Sequence, residues 1–348
     1  MPTPFKPASR SAIESIDDLF SSVGLKHGKR KNLGHNFERQ PKHPRQAVPQ
    51  RQRQSGTVKT RIAVTPVPGW SEFPWLLHGF STRTGGKTTA YKPDQRAGEL
   101  NLGFTASDPR ETVLANRKLF LHAVTKDKGS IPSLVTLRQI HSSIVYLVGH
   151  ADAGEEAHLK GDGMMTGERG VLLGIQTADC IPVLIVDKKK RVVAAFHAGW
   201  RGTLKRIVEN GVGRMRVEFG SRPEDLTAAI GPGIGQCCYA VGDEVRSEFE
   251  SQFAYASELF CDVYDSDPIK EKYPLLFLTA RAPGHSNLGP NLHLDLVEAN
   301  RRQLLDAGLP AESIFVQGDC TSCRTDRYFS HRAEHGFTGR SLSVIGVR

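Results

Sequence analysis

Between Val171 and Gly202 the chain reads VLLGIQTADCIPVLIVDKKKRVVAAFHAGWRG, and no other segment so restricts the fold. Runs rich in Val, Ile and Leu, broken only by a short charged turn, are the pattern of buried strands. The turn DKKKR joins IPVLIVD to VVAAF as a hairpin. A two- or four-residue loop centred on Lys188 and Lys189 sets Cys180 opposite His197. Opposed side chains on one face of an antiparallel pair have Cβ atoms about 4.5 to 5.5 Å apart. A three-residue loop would break that register, and Pro182 makes the pairing near the cysteine irregular.

After Gly202 the period changes. Leu204, Ile207, Val208, Val212 and Met215 form one apolar stripe that ends near Gly220, so His197 to Gly202 is a strand-to-helix turn. Glycine at 199 and 202 allows close backbone approach, and Arg201 lies near a helix N-terminus, where anions are stabilised. The plainer reading has Trp200 capping the core and Arg201 on the surface. His141 precedes a second strand-like run, Ile144 to Val148. His141, Cys180 and His197 are three good zinc ligands at the ends of apolar segments, and two imidazoles with one thiolate would leave a fourth position open, as in catalytic zinc sites. Their spacing matches no zinc-finger pattern.

The chain has 348 residues, enough for a substantial core, and no apolar run near the roughly 20 residues of a membrane span. No secretory signal is legible at its start, and six cysteines in this length are not a disulfide framework. The expectation is a cytoplasmic protein with reduced thiols and no membrane partner. The net charge of +9 is uneven: residues 1–60 hold 12 Lys+Arg against 4 Asp+Glu. The remainder is almost neutral. Residues 1–57 read as a disordered basic tail able to make only weak nucleic-acid contact, and residues 58–348 as one domain. Within the tail Ile13, Ile16, Leu19, Phe20 and Val23 have near-helical spacing, as a short helix or docking motif would, and Asp17 and Asp18 argue against a transit peptide.

The segments HGFSTRTGG, LNLG, RQIHSS, TADCIPV, HAGWRG, GPGIGQCCYAVGDEV and ANRRQLLDAGL, in this order, resemble the polyphenol oxidase (laccase-domain) family, also known as a purine nucleoside phosphorylase family. The resemblance covers roughly residues 61–348. It implies an α+β fold of mixed sheet flanked by helices, similar to deamidating cysteine hydrolase toxins, and a zinc ion held by His141, Cys180 and His197. It also implies phosphorolysis of adenosine, inosine, guanosine and methylthioadenosine, with purine nucleosides and phosphate as partners, and deamination of adenosine. Arg83, Gln139, Asp179 and Arg201 match positions lining the family's pocket. On that basis Asp179 is the expected proton donor or acceptor, Arg83 and Arg201 the phosphate clamps, and Gln139 a substrate contact.

Two positions depart from the family pattern. Gly233 stands where relatives usually carry cysteine, and Arg332 with Ala333 replaces a usual pair of arginines, which puts a phosphate role for the C-terminal arginines in doubt. Cys320 and Cys323 form an isolated CxxC without a partner pair and read as packing residues, as do Cys237 and Cys238. The laccase label finds no support in composition, since the 13 histidines include no His-x-His pair; copper would occupy a His/Cys site only adventitiously, through its intrinsically high affinity. Other readings are a hydrolase that edits cell-wall precursors, to which a bacterial branch of the family is linked, a metal-independent cysteine hydrolase using Cys180, and a binding module recruited by the tail.

Overall fold

The apolar runs become strands, and the charge-rich stretches around them become the helices that cover those strands. The computed structural model describes residues 62–91, 98–126, 130–155, 157–263 and 291–348; the tail, its boundary near residue 57 and the Ile13 to Val23 stripe lie outside them. In chain order the elements are β1 (Val64–Thr65), β2 (Leu76–Ser81), β3 (Thr84–Thr88), α1 (Arg110–Thr125), β4 (Ser133–Thr136), β5 (Val145–Leu147), β6 (Gly163–Thr166), β7 (Val171–Thr177), β8 (Ile181–Asp187) and β9 (Val192–Ala198). There follow α2 (Trp200–Leu204), α3 (Ile207–Phe219), β10 (Leu226–Ile230), α4 (Asp243–Gln252), β11 (Phe260–Val263), β12 (Asn291–Leu294), α5 (Leu296–Asp306), β13 (Ile314–Val316) and β14 (Ser341–Val347).

The fold is α+β, as expected, but its strands form two large mixed sheets. One has the order β1-β2-β14-β7-β4, the other β13-β10-β8-β9-β6-β5. Period two decides which side chains go where. On β8 and β9, Leu184, Val186, Val193 and Ala195 meet Leu173, Ile175 and Ile345 of the other sheet. Their alternates Val183, Ile185, Ala194 and Phe196 pack under α3 and α5 through Val208, Val212, Met215 and Leu304. On the far face of the first sheet, Leu172, Leu342 and Val344 are covered by Phe120, Leu121 and Val124 of α1. The layers are therefore helix, sheet, sheet, helices, and every strand near the centre is buried on both faces. No helix among the described residues is long and apolar enough to cross a membrane.

Two local expectations need correction. The β8–β9 hairpin forms, but its four-residue loop is Lys188 to Arg191, so Pro182 rather than Cys180 lies opposite His197. Asp187 moves the turn: its carboxylate accepts the Lys189 and Lys190 amides at 2.9 and 2.8 Å. The shift is by two residues, an even number, which leaves Cys180 and His197 on the same face. The stripe after Gly202 is likewise divided between α2 and α3, because Arg206 adopts a left-handed φ of 57° and its guanidinium stacks over Phe253.

Candidate active site

The link Ala178–Cys180 carries the chain from β7 in one sheet to β8 in the other. It crosses one end of the space between the sheets, where His197, in phase with Val193 and Ala195, closes β9 on the same inner face. His141 comes from the loop between β4 and β5. That loop is wrapped around a carboxylate no sequence reasoning had singled out. Asp162, fully buried, accepts the amides of Ile140, His141 and Ser142 at 3.2, 3.0 and 2.6 Å and the Ser142 hydroxyl at 2.7 Å. Its Oδ1 also lies 2.8 Å from His197 Nδ1. One carboxylate thus shapes the loop that presents His141 and orients the ring of His197. The only hint in the sequence is an acidic residue set between glycines in GDGMM, directly before a buried strand.

The two imidazoles meet edge to face with centroids 4.9 Å apart, and Cys180 Sγ is 3.8 Å from His141 Nε2. A Cβ at Gly199 would lie 2.8 Å from His141 Cδ2 and 3.0 Å from Cys180 Sγ. Only glycine lets the turn of HAGWRG pass so near these side chains.

The electrostatics follow from that proximity. Burial alone would raise the Cys180 thiol, but the charge of His197 and hydrogen bonds from His141 and His197 outweigh it and bring it down to about 6. For His197 burial works against the cation, whereas the Cys180 thiolate and Asp162 favour it and lift the group to about 9. Asp162 is held well below the usual carboxylate range: desolvation opposes the charge, and the His197 and Ser142 hydrogen bonds prevail. The cluster therefore favours thiolate next to shared protons.

Such a donor set suits a metal ion. One ligand atom from each of His141, Cys180 and His197 lies within 4.8 Å of the others, compared with the roughly 3.4 to 3.6 Å expected between nitrogen and sulfur donors around tetrahedral zinc. With Nδ1 of His197 engaged by Asp162, Nε2 is the nitrogen left for a metal, a common second-layer arrangement. The donors open onto a cavity of about 650 Å³, within the range of small-molecule sites. Its walls include Phe104, Arg138, Gln139, His331 and Arg340.

The remaining expected residues are placed differently. Gln139 reaches the cavity, but its amide is spent on the backbone of Gln176, donating to O at 2.7 Å and accepting from N at 2.8 Å. Arg83 is only 1% exposed; it is paired with Glu99 and Glu334, donates to the Thr325 and Tyr328 carbonyls and stacks on Phe329. No face of it is turned to the cavity, so the phosphate clamp expected there is corrected to an internal cross-link. Arg201 is exposed, with its guanidinium 4.3 Å from the centroid of Trp200, and is not part of the cavity wall. Asp179, at a left-handed φ of 90°, accepts from Thr321 Oγ1 at 2.7 Å and from the Arg332 amide at 2.6 Å. It holds the segment carrying His331 rather than lining the cavity itself. Besides Asp162, the sequence motifs did not point to Arg138, Arg340, His331 and Phe104, which the fold gathers from three separate parts of the chain.

Comparison with known proteins decides the family. Residues 77–348 match the family described as multi-copper polyphenol oxidoreductase laccase. The chain belongs to this family. It is 34% identical over 285 residues to purine nucleoside phosphorylase YlmD of Geobacillus stearothermophilus, covering 79% of this chain and 94% of that protein. Over 221 residues it is also 34% identical to adenosine deaminase RL5 of an unknown prokaryotic organism, covering 62% of this chain and 75% of that one. Among solved structures, YfiH of Bacillus licheniformis superposes with a TM-score of 0.65 at 30% identity, covering 80% of this chain and 94% of the other.

Proposed function

We propose that this protein is a purine nucleoside enzyme, phosphorolytic toward adenosine, inosine, guanosine and methylthioadenosine and able to deaminate adenosine, with zinc at His141, Cys180 and His197. One observation carries the reading: these three donors converge in a nucleoside-sized cavity whose lining also includes Arg110, Arg138 and Arg340. The relatives named as a phosphorylase and a deaminase support it. When bound, zinc would supply Lewis acidity toward a group in the cavity. The protein's own residues do the rest. Asp162 keeps the proton on His197 Nδ1 and so fixes the tautomer and ring angle. Phe104, 37% exposed and already flanked by Arg110 and Arg117, offers a face for the purine.

Phosphate would be held by Arg138 and Arg340, which reach the cavity, in place of Arg83 and Arg201. Arg340 uses Nη1 on the Thr338 and Gly339 carbonyls, which fixes its planar fork for an oxyanion. His331 is the group placed to exchange a proton with the departing base, and Asp179 acts through it as a positioning residue. A second reading rests on the thiolate character of Cys180: the same cysteine could serve as a nucleophile without metal, as the likeness to deamidating cysteine hydrolases would have it.

The test is product identity. Purified full-length protein is incubated with adenosine, inosine and methylthioadenosine, with and without phosphate, and products are identified by mass. Free base with ribose phosphate establishes phosphorolysis, and inosine from adenosine establishes deamination. No conversion of any nucleoside by zinc-replete protein sinks the proposal, and turnover that survives complete zinc removal assigns the chemistry to Cys180 alone.

A further inference from the structure

The CxxC does have a partner pair. Cys237 and Cys238 lie 85 residues or more from Cys323 in sequence, yet their sulfurs approach Cys323 Sγ to 3.5 and 3.4 Å. With Cys320, the four sulfurs all fall within 4.8 Å of one another. All six cysteines of the chain are free thiols, and these separations are far beyond the roughly 2.05 Å of a disulfide. Four thiolates at the corners of a zinc-centred tetrahedron, with Zn–S near 2.3 Å, stand about 3.8 Å apart. The Cys323 separations of 3.5 and 3.4 Å lie a few tenths of an ångström below that figure, close enough for small side-chain adjustments to admit the ion.

Local geometry supports the match. Gln236 to Cys238 form a tight turn in which the Cys238 and Tyr239 amides both donate to the Gly235 carbonyl, at 3.0 and 3.1 Å. This turn brings two successive sulfurs to one side. The second segment turns immediately after Cys320, whose carbonyl accepts the Arg324 amide at 3.0 Å, and Cys320 Sγ itself accepts the Gly235 amide at 3.2 Å. An N–H aimed at a sulfur is the interaction that stabilises a ligating thiolate. Cys237 and Cys323 are exposed, so an ion has a path in.

We infer that Cys237, Cys238, Cys320 and Cys323 form a second, closed tetrahedral site for a soft divalent cation of the zinc class. Its role is to tie two turns together. Both turns hold the residue beside Cys180: the Ile234 amide donates to the Asp179 carbonyl at 2.7 Å, while Thr321 and Arg332, on the other segment, donate to its carboxylate. Arg332 closes the circuit by donating to the Ala240 carbonyl at 2.9 Å. The ion thus braces the wall behind the catalytic cluster without touching it.

Metal stoichiometry tests this independently of any nucleoside activity. Full-length protein purified from zinc-supplemented cells should contain about two zinc per chain, falling to about one in Cys323→Ser and in Cys180→Ala, each by loss of a different site. Cobalt-loaded Cys180→Ala protein should show the intense thiolate-to-cobalt charge-transfer band of an all-sulfur site, and the band should vanish in Cys180→Ala/Cys323→Ser. If Cys323→Ser does not fold, the cobalt spectrum of Cys180→Ala still decides. Wild-type zinc content in folded Cys323→Ser overturns the assignment, as does a metal-free chain two hydrogens lighter than its fully reduced mass, or Cys180→Ala protein that takes up no cobalt in an all-sulfur site.

Discussion

Two charged regions of this molecule invite comparison: the buried knot around Arg83 and the open cluster at the end of β9. Each collects cations and carboxylates from distant segments. In the knot each charged group has its partner within the protein, Arg83 in Glu99, Glu334 and two carbonyls, and Glu334 further in Thr338; the one oxygen left over, Glu99 Oε2, is buried out of reach of any ligand. In the open cluster only the back is answered. Asp162 satisfies the loop and one nitrogen of His197, while the Cys180 and His141 donors and the cavity arginines face outward. The difference teaches that a strong charge marks a site only where some of its bonding capacity is left to a ligand.

Breaking the knot should therefore cost stability first. Arg83→Ala strands two partly or fully buried carboxylates and is expected to destabilise the fold by about 3–5 kcal/mol. Denaturant unfolding checks it, and a loss under about 1 kcal/mol would mean that the knot is not closed. Next in size is Asp162→Asn, which keeps the shape but weakens the His197 bond. Zinc affinity should fall on the order of 10–100-fold, and a competitive chelator titration that finds unchanged affinity would remove Asp162 from the site.

Arg340→Ala sharpens the contrast from the other side. It should leave unfolding within about 1 kcal/mol of wild type while raising the phosphate requirement of phosphorolysis about tenfold, with adenosine deamination unchanged. Equal losses in both reactions would place Arg340 in nucleoside binding instead. The smallest effect concerns His78 on β2, where burial, then the charge of Lys126, holds the imidazole down to about 4. Because the unfolded chain takes up this proton more readily, stability should decline as pH falls below the ordinary histidine range of about 6.5, by on the order of 1 kcal/mol between pH 7 and 5. His78→Gln should flatten that part of the stability curve, and an unaltered slope would show that other groups set it.

By itself the sequence determined the three central strands, the hairpin, the helical cover and three donors of one cluster, because hydrophobic period and turn chemistry are local properties. The match to family motifs reached further, to the pocket positions, yet a matched position does not say which way its side chain faces. Arg83 shows this: its motif was legible, but its burial against Glu99 and Glu334 depends on residues far along the chain. Only tertiary structure made Asp162 the anchor of the His141 loop and of the His197 ring, brought Arg138 and Arg340 to one cavity, and gathered Cys237 and Cys238 around the CxxC. These are contacts between segments tens to hundreds of residues apart, created when two sheets stack and their connecting loops are forced together. No window of sequence contains them.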